Sequence, residues 1–261
     1  RLSFIADRLI KIRENGFSEI EEIIPNKEGN YFCTDYDRTT YIVKRYFTAK
    51  ECNIREKQDC LEAIHALGRL HKAMTGIVVG EPVKVDSLPL MYEIDKRNTE
   101  LARVRKYLKS KSQKSEFELF LQTHYDYFYE KAMAVAEQLK KEDTSGWCKN
   151  IEDEQSYCHG DYQYHNILMD ESGCHIINFE KISPDNPVKD VYLFTRKLLE
   201  KNNWDLVLGR ELLHTYNEVR PIREEDLLQL KYRFLYPEKF WKIVNYYFNS
   251  SKAWISCKNT E

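Results

Sequence analysis

The sequence predicts an α+β fold in two lobes, with a small sheet-containing first lobe over residues 1–47 and a larger helical second lobe over residues 48–261. Three observations carry this expectation. Residues 18–47 read as short strands separated by turn residues. Residues from 55 onward read mostly at helical spacing. One hairpin-like pair of apolar runs, "NILMD" and "CHIINF", interrupts the helices at 166–179.

The first element is a helix, because "FIADRLIKIRENGF" spaces its apolar residues by threes and fours and stops at Gly16, a residue suited to a helix C-cap. The period then changes. "SEIEEIIPNKEGNYFCTDYDRTTYIVKRYF" reads as three strands with turns at Lys27–Asn30 and Asp35–Arg38. The lobe boundary falls near "KRYFTAKECN". Residues 55–74 return to a helix with Leu61, Ile64, Leu67 and Leu70 on one face, and two more helices are expected at 98–109 and 116–141. After the strand pair, helices are expected at 187–202, 205–220, 224–234 and 237–249.

Composition narrows the function classes. The 261 residues are 42% hydrophobic with a formal net charge of −2, which supplies a sizeable core and no global attraction for nucleic acid or an anionic membrane. No run approaches the roughly 18 apolar residues of a membrane-spanning helix. Neither nucleic-acid binding nor membrane insertion is therefore expected. Seven cysteines form no CxxC and no regular framework, as befits inert thiols in a reducing compartment. Cys158, His159, Asp161 and His165 lack the second ligand pair a zinc site would need. The run Lys96–Lys114 holds eight basic residues against one acidic and reads as a solvated helix face. The late aromatics Tyr236, Phe240, Trp241, Tyr246, Tyr247 and Trp254 read as core, and His71 as a core histidine with its hydrogen bonds satisfied.

The segment "CHGDYQYHNILMD" at 158–170 carries the chemistry. Phosphoryl transfer asks a protein to orient an acceptor hydroxyl, hold divalent metal and neutralise charge on the moving group. An Asp in a loop can accept the hydroxyl proton. An Asn five residues on can offer an oxygen to Mg²⁺, and an acidic residue on the returning strand can complete the metal site. Asp161 and Asn166 have that spacing, and Asn178 and Glu180, two apart on the expected strand, would share one face.

"HGDYQYHNIL" followed by "IINFEK", with "ALGRLHKAM" upstream, resembles the aminoglycoside phosphotransferase and choline kinase superfamily. Segments including "GFSEIEEIIPNKEGNYF", "PVKDVYLFTRKLLEKNNWD" and "YPEKFWKIVNYYFNSSKAWIS" are similar, over nearly the whole chain, to the CotS-type spore-coat proteins of endospore-forming bacteria. The resemblance implies a two-lobed protein-kinase-like fold, with ATP and Mg²⁺ as cofactors and a small-molecule hydroxyl as acceptor. It implies Asp161 as catalytic base, Asn166, Asn178 and Glu180 at the metal, and His159 and Asp190 supporting the catalytic loop. Lys44, Arg45 and Tyr46 would form the hinge, its backbone facing the adenine. It also implies cytoplasmic synthesis followed by residence in the spore coat, with other coat proteins as partners.

Two departures bear on activity. Asn178 stands where the family's principal metal-binding Asp is expected; a carboxamide supplies an oxygen but no charge, and Mg²⁺ prefers anionic oxygen. The nine glycines form no Gly-rich loop, and no phosphate-binding Lys can be placed. The chain opens without an initiator Met, so roughly 60–100 further residues, with such a Lys, are expected upstream to complete the small lobe's sheet. Two functions stay open at this point: an ATP-dependent small-molecule phosphotransferase, and a pseudokinase that keeps the fold as a coat-assembly or binding module.

Overall fold

Helix α1, Leu2–Glu14, turns its apolar stripe of Ile5, Leu9 and Ile12 inward and ends where Gly16 takes a positive φ of 90°. This computed structural model describes residues 2–85 and 88–249. Four short strands follow: β1 (Ile23–Ile24), β2 (Cys33–Thr34), β3 (Thr40–Tyr41) and β4 (Val43–Lys44). β1 pairs antiparallel with β4, and β2 with β3. Both expected turns form, each tied by a side chain. Asn26 Oδ1 accepts from the N–H groups of Glu28 and Asn30, and Asp35 Oδ1 from those of Asp37 and Thr39.

Strand β5, Lys50–Glu51, leads into helix α2, Lys57–Ala73, which buries Ile64, Leu67 and Leu70. The strands β7, Ile167–Asp170, and β8, Gly173–Ile176, form the expected hairpin, and β5 pairs with β7 to give a three-stranded antiparallel sheet. The free edge of β8 is covered by the N-terminal segment: Glu21 N donates to Ile176 O at 2.9 Å and Ile176 N to Glu19 O at 2.9 Å. That pairing brings Glu21 beside the chain just past the hairpin. Strands β6 (Tyr157–Cys158) and β9 (Ser183–Pro184) pair next to the loop between them. Helices α6, Val188–Lys201, and α7, Leu206–Val219, finish this part of the molecule, with α7 packed on α2 where Gly68 lies against Val219.

These elements belong to one compact unit, Arg1–Val85 with Lys149–Leu227; a second consists of Asp86–Cys148 with Leu228–Glu261. The second unit is helical. Helix α3, Pro89–Ser110, starts well before the expected residue 98. Pro89 stands at its first turn, where a missing N–H costs nothing, and Leu90, Ile94 and Leu101 continue the buried stripe. Helix α4, Glu116–Leu139, opens with a reciprocal cap between Ser115 and Glu118. Helix α5, Ser145–Glu154, has no counterpart among the expected elements; Trp147 and Ile151 are buried, and Asp143 caps its start. Helices α8, Glu224–Leu235, and α9, Glu238–Asn249, come last.

In the second unit Tyr236 is buried, and Phe240 and Trp241 pack on the same core, so these three late aromatics are core residues. Tyr247 lies against Phe117, Tyr246 is exposed, and Trp254 falls outside the described residues. Much of the basic run is matched by acids: Arg97 by Glu93, Arg105 by Asp126 and Lys111 by Glu118. Among the described residues no helix is long and apolar enough to cross a membrane. Cys33, Cys52, Cys60 and Cys174 form no disulfide, and burial pushes the thiols of Cys60 and Cys174 up to about 11 and about 12.

Candidate active site

Strand β6 delivers the chain into the loop at His159, and one buried carboxylate fixes its course. Asp190, in the first turn of α6, accepts from His159 N at 2.6 Å and from Gly160 N at 2.9 Å. Asp190 is wholly buried and is also 3.2 Å from His71 Nε2, while His71 Nδ1 lies 2.8 Å from the Tyr216 hydroxyl. The carboxylate must accept, so His71 carries its proton on Nε2 and accepts from Tyr216 at Nδ1. His71 is thus a core histidine with both nitrogens satisfied. Burial lowers its pKa, outweighing the neighbouring carboxylate; the Asp190 pKa is also lowered, since burial, which raises it, is outweighed by His71 and the backbone donors.

The His159 ring continues the same logic. Its Nδ1 accepts from Asp161 N at 3.1 Å and its Nε2 donates to Ile177 O at 3.0 Å. The ring therefore ties the loop to the far end of the hairpin, with Phe179 edge-on to it at 4.5 Å between centroids. Gly160 has a φ of 81°, and a Cβ there would sit 2.5 Å from the Lys181 carbonyl oxygen. Gly160→Ala is expected to cost about 2 kcal/mol from the left-handed backbone and the clash, read as a fall in the urea midpoint. A midpoint unchanged by the substitution would show that the loop can relax away from Lys181.

Asp161 emerges at the end of this brace with its side chain 21% exposed. Its carboxylate accepts from Gln163 Nε2 at 2.8 Å and from Lys181 Nζ at 2.9 Å. Burial works to raise its pKa, but these two donors outweigh it and hold the carboxyl below the ordinary range, hence ionised. Asn166 is buried, and its Nδ2 donates to the Asp161 carbonyl at 2.8 Å. Its Oδ1 must then face the other way, where it accepts from Asn178 Nδ2 at 2.8 Å.

The strand expected to run through Asn178 stops earlier, which corrects the expected shared face of Asn178 and Glu180. Strand β8 ends at Ile176, Asn178 takes a left-handed backbone at φ 67°, ψ 60°, and Phe179–Lys181 form a single 3₁₀ turn. Asn is among the few residue types that adopt this conformation readily. The break is held by Glu21, whose carboxylate accepts from Asn178 N at 2.9 Å and Phe179 N at 3.0 Å.

The sequence offered no sign of Glu21, a fully buried carboxylate whose partners lie some 157 positions away. Lys44 Nζ bridges it, at 2.9 Å, to Glu180 at 2.7 Å. Burial works to lower the Lys44 pKa, yet the two carboxylates raise it overall. Of the three residues expected at the hinge, Lys44 sends its side chain to this cluster while its backbone pairs with Ile23 in β4. Arg45 reaches Glu22 instead, and Tyr46 is 85% exposed.

The structure thus links Asp161, Asn166 and Asn178 directly, and joins Glu180 to them through Lys44 and Glu21. Whether the set suits Mg²⁺ follows from its donors. Asn166 Oδ1 is capped by an N–H, Asn178 presents that N–H, and Asp161 and Glu180 each hold a lysine. Among the described residues no three His, Cys, Asp or Glu side chains are grouped to hold a metal ion. As folded, these residues do not fit a divalent cation, which calls for several free and mostly anionic oxygens.

A small sheet-containing region, a larger helical part and a carboxylate-braced HGD loop define a kinase-like fold. Residues 54–222 match the phosphotransferase enzyme family, APH, and the chain belongs to that family. Solved structures share the fold. An aminoglycoside phosphotransferase from Alicyclobacillus acidocaldarius superposes with a TM-score of 0.80 at 16% identity, over 99% of this chain and 75% of that one. An amicoumacin kinase in complex with AMP-PNP, Ca²⁺ and Ami gives 0.64 at 9% identity, over 99% and 74%. A choline/ethanolamine kinase family protein from Mesorhizobium loti gives 0.53 at 15%, over 96% and 72%. At these identities the likeness is one of fold. Comparison with curated proteins gave no match.

Proposed function

We propose that this protein is an ATP-dependent phosphotransferase acting on a small-molecule hydroxyl, with Asp161 as general base, and that it serves in the spore coat. The observation that carries the reaction is the brace on the HGD loop. Asp190 and His159 fix the backbone on either side of Gly160, so that an ionised, part-exposed Asp161 carboxylate is held in place. The acceptor hydroxyl would form its new O–P bond to the γ-phosphorus as the bond to the β–γ bridging oxygen breaks; its proton passes to Asp161 and ADP leaves. Lys181, 2.9 Å from that carboxylate, keeps it ionised until the acceptor arrives.

The complex of the amicoumacin kinase with AMP-PNP supports ATP as donor, and the choline/ethanolamine and aminoglycoside enzymes support a small-molecule acceptor. The spore-coat role rests on the resemblance of the sequence to coat proteins, which supplies coat proteins as partners and cytoplasmic synthesis as origin. One observation favours a second reading, a nucleotide-binding module without turnover: the Asn166–Asn178 hydrogen bond sits where an enzyme would hold metal.

The deciding experiment incubates the protein with γ-labelled ATP and a panel of aminoglycosides, amino alcohols and amino sugars, with and without Mg²⁺. Label transferred to one acceptor class is the expected result. ATP bound but transferred to none would establish the binding module.

A further inference from the structure

The carboxylates of this site already have a cation, and it belongs to the chain. Lys44 Nζ lies 2.9 Å from Glu21 and 2.7 Å from Glu180, bridging two acidic side chains as a bound metal would. Glu21 is 2% exposed and is pinned from the other side by the N–H groups of Asn178 and Phe179. A divalent ion that displaced Lys44 would have to shed water to reach the buried Glu21 and would strip a half-buried ammonium of both its carboxylates, so the ammonium is anchored and not merely adjacent. At the other end Lys181 occupies Asp161. Asn178, neutral and donating its amide to Asn166, supplies no third anionic oxygen. Two lysines against three carboxylates leave little net charge to draw a divalent ion, and Mg²⁺ surrenders its water reluctantly.

We propose that Lys44 takes the place of the divalent cation among these carboxylates, so that the protein binds nucleotide without metal. The proposal rests on the nucleotide-binding part of the function above, and it separates this chain from kinases that bind nucleotide together with metal. The residue controlling the difference is Asn178. Asp also tolerates the left-handed backbone at that position. An Asp there would lose the hydrogen bond to Asn166 and set a new carboxylate against the Asn166 oxygen.

Two measurements on the full chain test this. The first is Mn²⁺ binding followed by electron paramagnetic resonance, with no nucleotide present. The wild type is expected to bind no Mn²⁺ at millimolar concentration, whereas Asn178→Asp with Lys44→Met is expected to bind at least about tenfold more tightly. Asn178→Asp alone, which leaves the Lys44–Glu21 pair intact, is expected to gain part of that affinity and covers the case in which the double variant does not fold. The second is calorimetric ATP binding in EDTA and in Mg²⁺. Wild-type affinities are expected to agree within about twofold, while the double variant becomes Mg²⁺-dependent.

Micromolar Mn²⁺ binding by the wild type, or ATP affinity that rises tenfold or more with Mg²⁺, overturns the proposal. Failure of the phosphotransferase reading looks different: no acceptor is labelled, yet both measurements come out as expected. If ATP binds in neither buffer, the nucleotide reading fails, and the Mn²⁺ measurement alone decides for or against Lys44 as the resident cation.

Discussion

Phosphoryl transfer by Asp161→Ala is expected to fall about 10²–10⁴-fold, the usual contribution of a positioned general base. Asp161→Asn should be nearly as slow, because a carboxamide keeps the shape and the Gln163 contact but cannot take the proton. Stability should hardly move. The partner Lys181 is 63% exposed, and such pairs contribute at most about 1 kcal/mol. Initial rates of ADP release with the acceptor found in the labelling experiment, alongside urea midpoints, separate the two effects. Variants that turn over at the wild-type rate would remove Asp161 from the chemistry. Variants that unfold early would give it a structural role instead.

Asp190→Ala is expected to be the most destabilising single change in the site, by about 3–5 kcal/mol. It strips the acceptor from His159 N, Gly160 N and His71 Nε2 at once, and His159 and His71 are both buried. The same carboxylate shapes the acid limb of stability. The His71 pKa is lowered from 6.5 in the fold, so below about pH 6.5 the unfolded chain takes a proton that the folded one refuses. Its contribution is therefore complete above that pH and is lost as the pH falls. Asp190, lowered from 3.8, adds a second loss further down. Thermal unfolding between pH 7.5 and 5 should show the first decline in the wild type. It should be steeper in Asp190→Ala, where nothing opposes the burial of His71. A flat wild-type profile would mean that His71 protonates without cost.

What the sequence disclosed about this site was local, and what it withheld was not. Asp161 and Asn166 are five residues apart in one loop, so their spacing alone shows that they can face one another, and the Asn166–Asp161 hydrogen bond is the result. Asp190 is recognisable through the family resemblance, which implies a bracing Asp at the start of the helix after the hairpin. Glu21 and Lys44 are not recognisable, since each acts on residues more than a hundred positions away and neither breaks the strand pattern around it. The misplaced end of β8 has a different origin. Apolar residues alternate through Ile177 and Phe179, so periodicity alone extends the strand, whereas an Asn between them supports a left-handed break. The helices were readable wherever an apolar stripe was long. Pro89 disguised the start of α3, and the ten residues of α5 were too few to show a period.

The second unit is made from two stretches of chain, and this sets a timetable for its birth. Asn98 in α3 accepts from the Tyr236 hydroxyl, 138 positions later. At a synthesis rate of roughly 5–20 residues per second, the α3–α4 hairpin waits on the order of ten seconds for the helices that cover it. Throughout that interval Leu101, Leu121 and Tyr125, buried in the finished protein, stand open to solvent and to any chaperone that reads apolar surface. The loop bearing Asp161 and its brace at Asp190 emerge inside the same window, before α8 and α9 exist. A newborn molecule of this protein thus carries its complete candidate catalytic sequence well before it has a finished body.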